Sequence, residues 1–172
     1  MYTILARGMV KVVVMGVSGS GKTTVGQALA EHLQLQFYDG DDFHSPGNKD
    51  KMSRGYPLTD LDRKPWLEML AELVGGTDCV LACSCLKRKY RMTMIKDMPD
   101  KKDLLFVYLK GSKDVIEKRL TKRQGHYFKA DLLQSQFDAL EEPEEDENVL
   151  TVQCDASVNT ILEVFRQFLE SD

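Results

Sequence analysis

Long hydrophobic runs are missing from this chain of 172 residues: no stretch approaches the length of a membrane-spanning helix, and Lys11 interrupts the apolar run behind Met9. The segment from Met1 to Met9 is too short for a signal peptide. It reads as a frayed extension of about eight residues, with Met9 a possible natural start. Cysteine is sparse and unpatterned. Cys79, Cys83, Cys85 and Cys154 form no C-x-x-C pair and have no histidines at metal-ligand spacing. Three of them fall in or beside buried strand runs, where a thiol behaves as a small hydrophobe, so a reduced, cytoplasmic compartment is expected. Positive charge is not in excess. With a net charge of -4 the chain has no global attraction for nucleic acid or an anionic membrane, and any basic chemistry must be local. Internal repeats and a second composition block are also lacking. A hydrophobic share of 42% and a charged share of 29% describe one ordinary globular domain spanning residues 1–172.

What is present is concentrated between Gly16 and Thr23, where Gly-Val-Ser-Gly-Ser-Gly-Lys-Thr fits G-x-x-x-x-G-K-[ST]. A β-branched run, Val10 to Met15, precedes it, and Val25, Ala28, Leu29 and Leu33 follow at helical spacing. Strand, glycine loop and helix are the context that a phosphate-binding loop requires. Glycines let successive N–H groups turn onto phosphate oxygens, and the helix adds its free amides and positive dipole end. The nucleotide-binding candidates are therefore Gly16, Ser18, Gly19, Ser20, Gly21, Lys22, Thr23 and Thr24. Lys22 supplies a mobile charge for the β- and γ-phosphates, and the Thr23 hydroxyl is placed for Mg²⁺.

Downstream, hydrophobic runs at Gln36–Tyr38, Cys79–Cys83, Leu104–Leu109 and Val149–Val152 alternate with helical patterns. The spacing predicts an α/β, three-layer P-loop kinase fold: a five-stranded parallel sheet with helices on both faces and a mobile lid near residues 122–130. Thr59-x-x-Asp62 reads as a capping box, with Pro65 implying a helix that starts near Asp62 or kinks. Right-handed crossovers put every strand's carboxyl end on one edge, where ligands collect. The residues that follow strands there are the glycine loop, Asp39 and Asp41, Ser84, and Gly111.

The use made of the nucleotide is read from the rest of the chain. Asn48-Lys49-Asp50-Lys51 fails as the N-K-x-D guanine reader of a GTPase, and no sensor region of an oligomeric ATPase is visible. A short chain, Asp39-x-Asp41 after the second strand and late arginines favour a small-molecule kinase. Asp39 can hold Mg²⁺ through water, and Asp41 can orient or deprotonate an attacking hydroxyl; turn and cap chemistry is their alternative role. Arg119 and Arg123, at i and i+4, suggest a lid closing over the triphosphate, against the plainer reading of a solvated helix face. Lys87 and Arg91 share a helical face near a strand end, where an anionic substrate needs a cation. His32 is expected at the surface and Trp66 in the core.

Several segments together resemble the gluconokinases, the small P-loop kinases related to shikimate and nucleoside-monophosphate kinases. They are M-G-V-S-G-S-G-K-T at Met15–Thr23, Y-D-G-D-D-F-H at Tyr38–His44, K-M-S-R-G-Y-P-L-T-D-L-D-R-K-P-W-L at Lys51–Leu67 and A-C-S-C-L-K-R-K-Y-R at Ala82–Arg91. Y-L-K-G at Tyr108–Gly111, R-Q-G-H-Y-F-K at Arg123–Lys129 and L-L-Q-S-Q-F-D-A-L-E-E-P at Leu132–Pro143 continue the likeness from Val10 onward. Two positions depart: Cys85 stands where the family commonly has alanine, and Ser45 separates His44 from Pro46. The resemblance implies ATP- and Mg²⁺-dependent phosphorylation of D-gluconate at its 6-hydroxyl, a homodimer, and a cytosolic role feeding the pentose phosphate route. A polyol anion then needs a cation for its carboxylate and partners for its hydroxyls, with Arg63 first for either and Lys87 and Arg91 next. Asp41 and His44 would meet the polyol end, and Lys22, Asp41 and Arg123 form the expected catalytic set. His126 in the lid is either a hinge contact or a phosphate donor. Two rivals stay open: a kinase for shikimate-like or other sugar acids, and a nucleotide-binding module without turnover.

Overall fold

Val12 to Met15 are at most 1% exposed, which a strand achieves only when both faces of its sheet are covered. In the computed structural model, which describes residues 10–122 and 130–171, this run is strand β1 (Lys11–Met15) at the centre of the sheet. β2 (Gln36–Asp39), β3 (Cys79–Ala82), β4 (Leu104–Lys110) and β5 (Val149–Gln153) join it in the order β2-β3-β1-β4-β5. Every pairing is parallel; Val13 lies opposite Leu81 on one side and Phe106 on the other. The expected sheet is present.

Six α-helices lie in the crossovers among the described residues, α1 (Lys22–Leu33), α2 (Pro46–Ser53), α3 (Asp60–Gly76), α4 (Arg88–Ile95), α5 (Lys113–Lys122) and α6 (Ala130–Ala139), and α7 (Val158–Ser171) follows the last strand. Side chains alternate across β1, so the two faces build separate cores. Val12 and Val14 meet Leu29 of α1, Ile116 of α5 and Ile161 and Phe165 of α7. Val13 and Met15 meet Trp66, Leu70 and Val74 of α3 and Tyr90 and Met94 of α4. Lys11, which breaks the apolar pattern, is 3% exposed and donates its Nζ to Gly75 O at 2.9 Å. Its charge thus satisfies a carbonyl orphaned at the end of α3. None of the described helices is long and apolar enough to cross a membrane.

The capping box forms as read: Thr59 N–H donates to Asp62 Oδ2 at 2.7 Å, and Asp62 N–H to Thr59 Oγ1 at 3.2 Å. The helix nevertheless begins at Asp60 and runs through Pro65, earlier than the proline suggested. The hydrogen bond that Pro65 cannot donate would have gone to Leu61, a residue 82% exposed, where water can serve instead. The segment read as a lid, with Arg123 and His126, lies outside the described residues, as do residues 1–9.

Candidate active site

Between β1 and α1 the chain needs conformations that side chains resist. Gly19 sits at φ 80° and Gly21, the residue preceding α1, at φ 101°. A Cβ on Gly19 would also stand 2.7 Å from Leu120, so the loop is pressed against α5. Gly16 N–H donates to Ser84 O at 3.3 Å, tying the loop to the turn after β3. Ser20 is fully buried, and its Oγ has no partner among the described residues. Lys22 turns its Nζ back to Val17 O at 3.0 Å. Burial lowers its pKa, opposed by the carboxylates of Asp41 and Asp39. Its ammonium is thus poorly solvated in a setting that anionic oxygens would relieve. Thr24 follows on the exposed side of the first helical turn.

β2 delivers the acidic pair. Asp39 Oδ2 accepts from Thr23 Oγ1 at 3.2 Å, and its Oδ1 accepts the Asp41 N–H at 3.1 Å. The second bond caps a 3-10 turn, Gly40–Phe43, that swings Asp41 outward with a side chain 86% exposed. Turn chemistry and siting therefore coexist at Asp39: one oxygen shapes the backbone while the other faces the phosphate loop. Trp66, buried in the second turn of α3, donates its Nε1 to Gly40 O at 2.7 Å and fixes the turn. His44 is buried, stacked on Trp66 with ring centroids 4.2 Å apart. Its Nε2 comes within 3.9 Å of Asp41 Oδ1, and burial holds its pKa below the ordinary value. A neutral imidazole, one edge toward Asp41, is the result. Ser45, which separates His44 from Pro46, caps α2 by accepting the Asn48 N–H at 3.1 Å, so the insertion has a structural role.

A cationic cluster occupies the junction of α3 and α4. Asp60 accepts from Lys87 Nζ at 3.2 Å, and also from Lys89 Nζ and Tyr90 Oη. These bonds hold its carboxyl far below the usual range. Arg63 donates to Leu58 O and lies 5.8 Å from the Tyr90 ring centroid, while Lys87 lies 5.7 Å from it. Three cations against one carboxylate leave the cluster positive. Lys89 and Tyr90 belong to it although the sequence pattern did not single them out.

Arg91 does not join them. It is fully buried, donates through Nε and Nη2 to Glu147 at 2.6 and 2.9 Å, and gives Nη1 to Cys85 O at 3.1 Å. The expectation that Arg91 reads a substrate is corrected. Its guanidinium is used up bracing the turn after β3, where Cys85 adopts φ 44°, and it faces inward because the acidic loop after α6 supplies a matching carboxylate. Arg119 lies on the opposite flank, donating to Cys154 O beyond β5, and its Nη2 would stand 3.1 Å from a Cβ on Gly21. One contact had no sequence signal at all: Gln136 Oε1 accepts the Ser18 N–H at 2.6 Å, across a separation of 118 residues.

A glycine loop on the central strand of a parallel sheet, with a lysine, a threonine–aspartate pair and a cationic flank on one edge, defines a P-loop kinase. The sequence model of shikimate kinases matches residues 18–170. A probable gluconokinase of Mus musculus is 47% identical over 167 residues, covering 86% of this chain and 91% of that protein. The thermoresistant gluconokinase of Escherichia coli (strain K12) is 43% identical over 156 residues, covering 87% of each. The crystal structure of a gluconokinase from Sinorhizobium meliloti 1021 superposes with a TM-score of 0.88 at 40% identity, covering 96% of this chain and 94% of that one. The chain belongs to the gluconokinase family, within the broader shikimate kinase family.

Proposed function

We propose that this kinase transfers the γ-phosphoryl group of ATP to the 6-hydroxyl of D-gluconate, giving 6-phospho-D-gluconate. The observation that carries the reading is the Thr23–Asp39 pair, 3.2 Å apart, with Asp41 next on the same turn and Lys22 one residue away. Mg²⁺ asks for few protein oxygens and keeps waters and phosphates as its other ligands, so a threonine hydroxyl and one carboxylate suit it. The ion would neutralise charge on the transferring phosphate. Loop amides and Lys22 hold the phosphate chain, and Arg119 flanks the nucleotide from the β5 side. Asp41, exposed and in no salt bridge to a lysine or arginine among the described residues, orients the acceptor hydroxyl, with neutral His44 beside it. Arg63 and Lys87 take the sugar-acid carboxylate, exchanging part of their pairing with Leu58 O and Asp60. Arg123 and His126 would act from the lid. A homodimer in the cytoplasm, supplying the pentose phosphate route, completes the reading. It leans on the gluconokinase relatives.

The test is a coupled assay with magnesium and ATP over gluconate, other aldonates, shikimate and nucleoside monophosphates. Gluconate is expected to give the highest kcat/KM. A preference for shikimate or another acid would transfer the reading to that rival, and ATP consumption indifferent to every acceptor would leave only a nucleotide-binding module. Within the same assay Asp41→Asn is expected to lower kcat about 10²-fold, the low end for a positioned acid–base group, because the loose transition state needs orientation more than proton removal. Full single-turnover activity in that variant would remove Asp41 from the reaction.

A further inference from the structure

The Gln136–Ser18 contact is the one polar link between the phosphate loop and the helix that follows residues 123–129, among the described residues. Leu133, 1% exposed and set in the core under β1, anchors α6 one turn earlier, and Lys113 Nζ donates to Gln134 Oε1 at 2.5 Å. Gln136 is therefore presented to the loop by a helix docked on both sides. The amide it occupies belongs to the third residue of the octapeptide, ahead of the amides that lead into α1. A phosphate oxygen reaching that amide must displace the Gln136 oxygen.

We propose that Gln136 distinguishes a nucleoside triphosphate from a diphosphate; the inference rests on the ATP-dependent reading above and adds a specificity residue to it. The carboxamide carries both an acceptor and two donors. While the terminal phosphate is missing, its oxygen keeps the Ser18 N–H paired. When a terminal phosphate takes that amide, the carboxamide turns and donates its NH₂ to a phosphate oxygen. The exchange replaces one neutral hydrogen bond with two charge-assisted ones, so it favours the triphosphate. On this proposal a diphosphate does not take the Ser18 amide and leaves the original bond in place. The donor is indispensable: a glutamate in the same position could accept from Ser18 but would repel the phosphate.

The experiment is calorimetric titration of the full chain with magnesium, using ADP and the β,γ-imido analogue of ATP in parallel. Gln136→Glu is expected to weaken the triphosphate about 10²-fold and ADP by less than about 3-fold, on the scale of a lost charge-assisted bond plus like-charge repulsion. Gln136→Ala, which loses the donor without adding charge, is expected to weaken the triphosphate about 10-fold and leave ADP unchanged. Equal weakening of both nucleotides in either variant, or no change in either, would overturn the proposal, since a purely structural role cannot tell the two apart. Failure of the unaltered protein to bind either nucleotide would instead overturn the ATP-dependent reading itself.

Discussion

Lys22→Ala is expected to lower kcat by at least about 10²- to 10³-fold, the loss seen when one preorganised donor to developing charge is removed. The fold should survive. Lys22 makes one hydrogen bond, to Val17 O, and sits at the start of α1 rather than in either core. Burial already disfavours its charged form, so truncation removes a desolvation cost along with the charge. The KM for ATP should rise less than kcat falls, because a mobile ammonium follows the phosphoryl group as its charge redistributes. Steady-state kinetics alongside thermal unfolding separates these outcomes. Turnover within 10-fold of the unaltered enzyme would refute the assignment of the loop.

Glu147→Gln should act on stability. Both Arg91 and Glu147 have side chains at most 1% exposed, and the pair is bidentate. Removing one charge strands the other where water cannot reach it, at a cost of about 3–5 kcal/mol. For a chain of this size that corresponds to a fall in Tm of roughly 10 °C. Burial works against ionising Glu147, but the bonds from Arg91 and from the Glu144 N–H outweigh it, and its pKa lies below the usual 4.5. Its contribution is therefore complete above about pH 4.5 and is lost as the pH falls through the lower, folded value. The gap in Tm between the variant and the unaltered protein should narrow in acid. Arg91→Met combined with Glu147→Leu should recover most of the loss, because no charge is then left buried. A single variant as stable as the parent at neutral pH would show that water reaches this pair.

The alternation of strand and helix and the glycine loop were legible because they are local: periodicity, caps and turn residues lie within a few positions of one another. Strand order was not read, and neither was the division of α3 and α4 from the other helices across the sheet. Asp39 and Asp41 were singled out from their place after a strand, although nothing local revealed that Asp39 would serve the turn and Thr23 at once. Arg91 was misread for a physical reason. Helical spacing put it on a face with Lys87, but its partner lies 56 residues away in an acidic loop that reads as solvent-exposed. Gln136 reaches Ser18 across a still longer separation, and no residue type announces such a contact. Long-range polar pairing is what one sequence leaves out.

The central position of β1 has a further bearing on how this enzyme can change. Arg119 and Cys154 stand beyond β4 and β5, whereas Arg63 and Lys87 stand beyond β2 and β3, so the residues proposed for the nucleotide's flank and for the acceptor's carboxylate lie on opposite sides of β1. On that proposal, swapping the acceptor's acid group would call for rebuilding the α3–α4 corner, with the Arg119 flank untouched. Kinases of this plan can thus diversify in what they phosphorylate at little risk to what they spend.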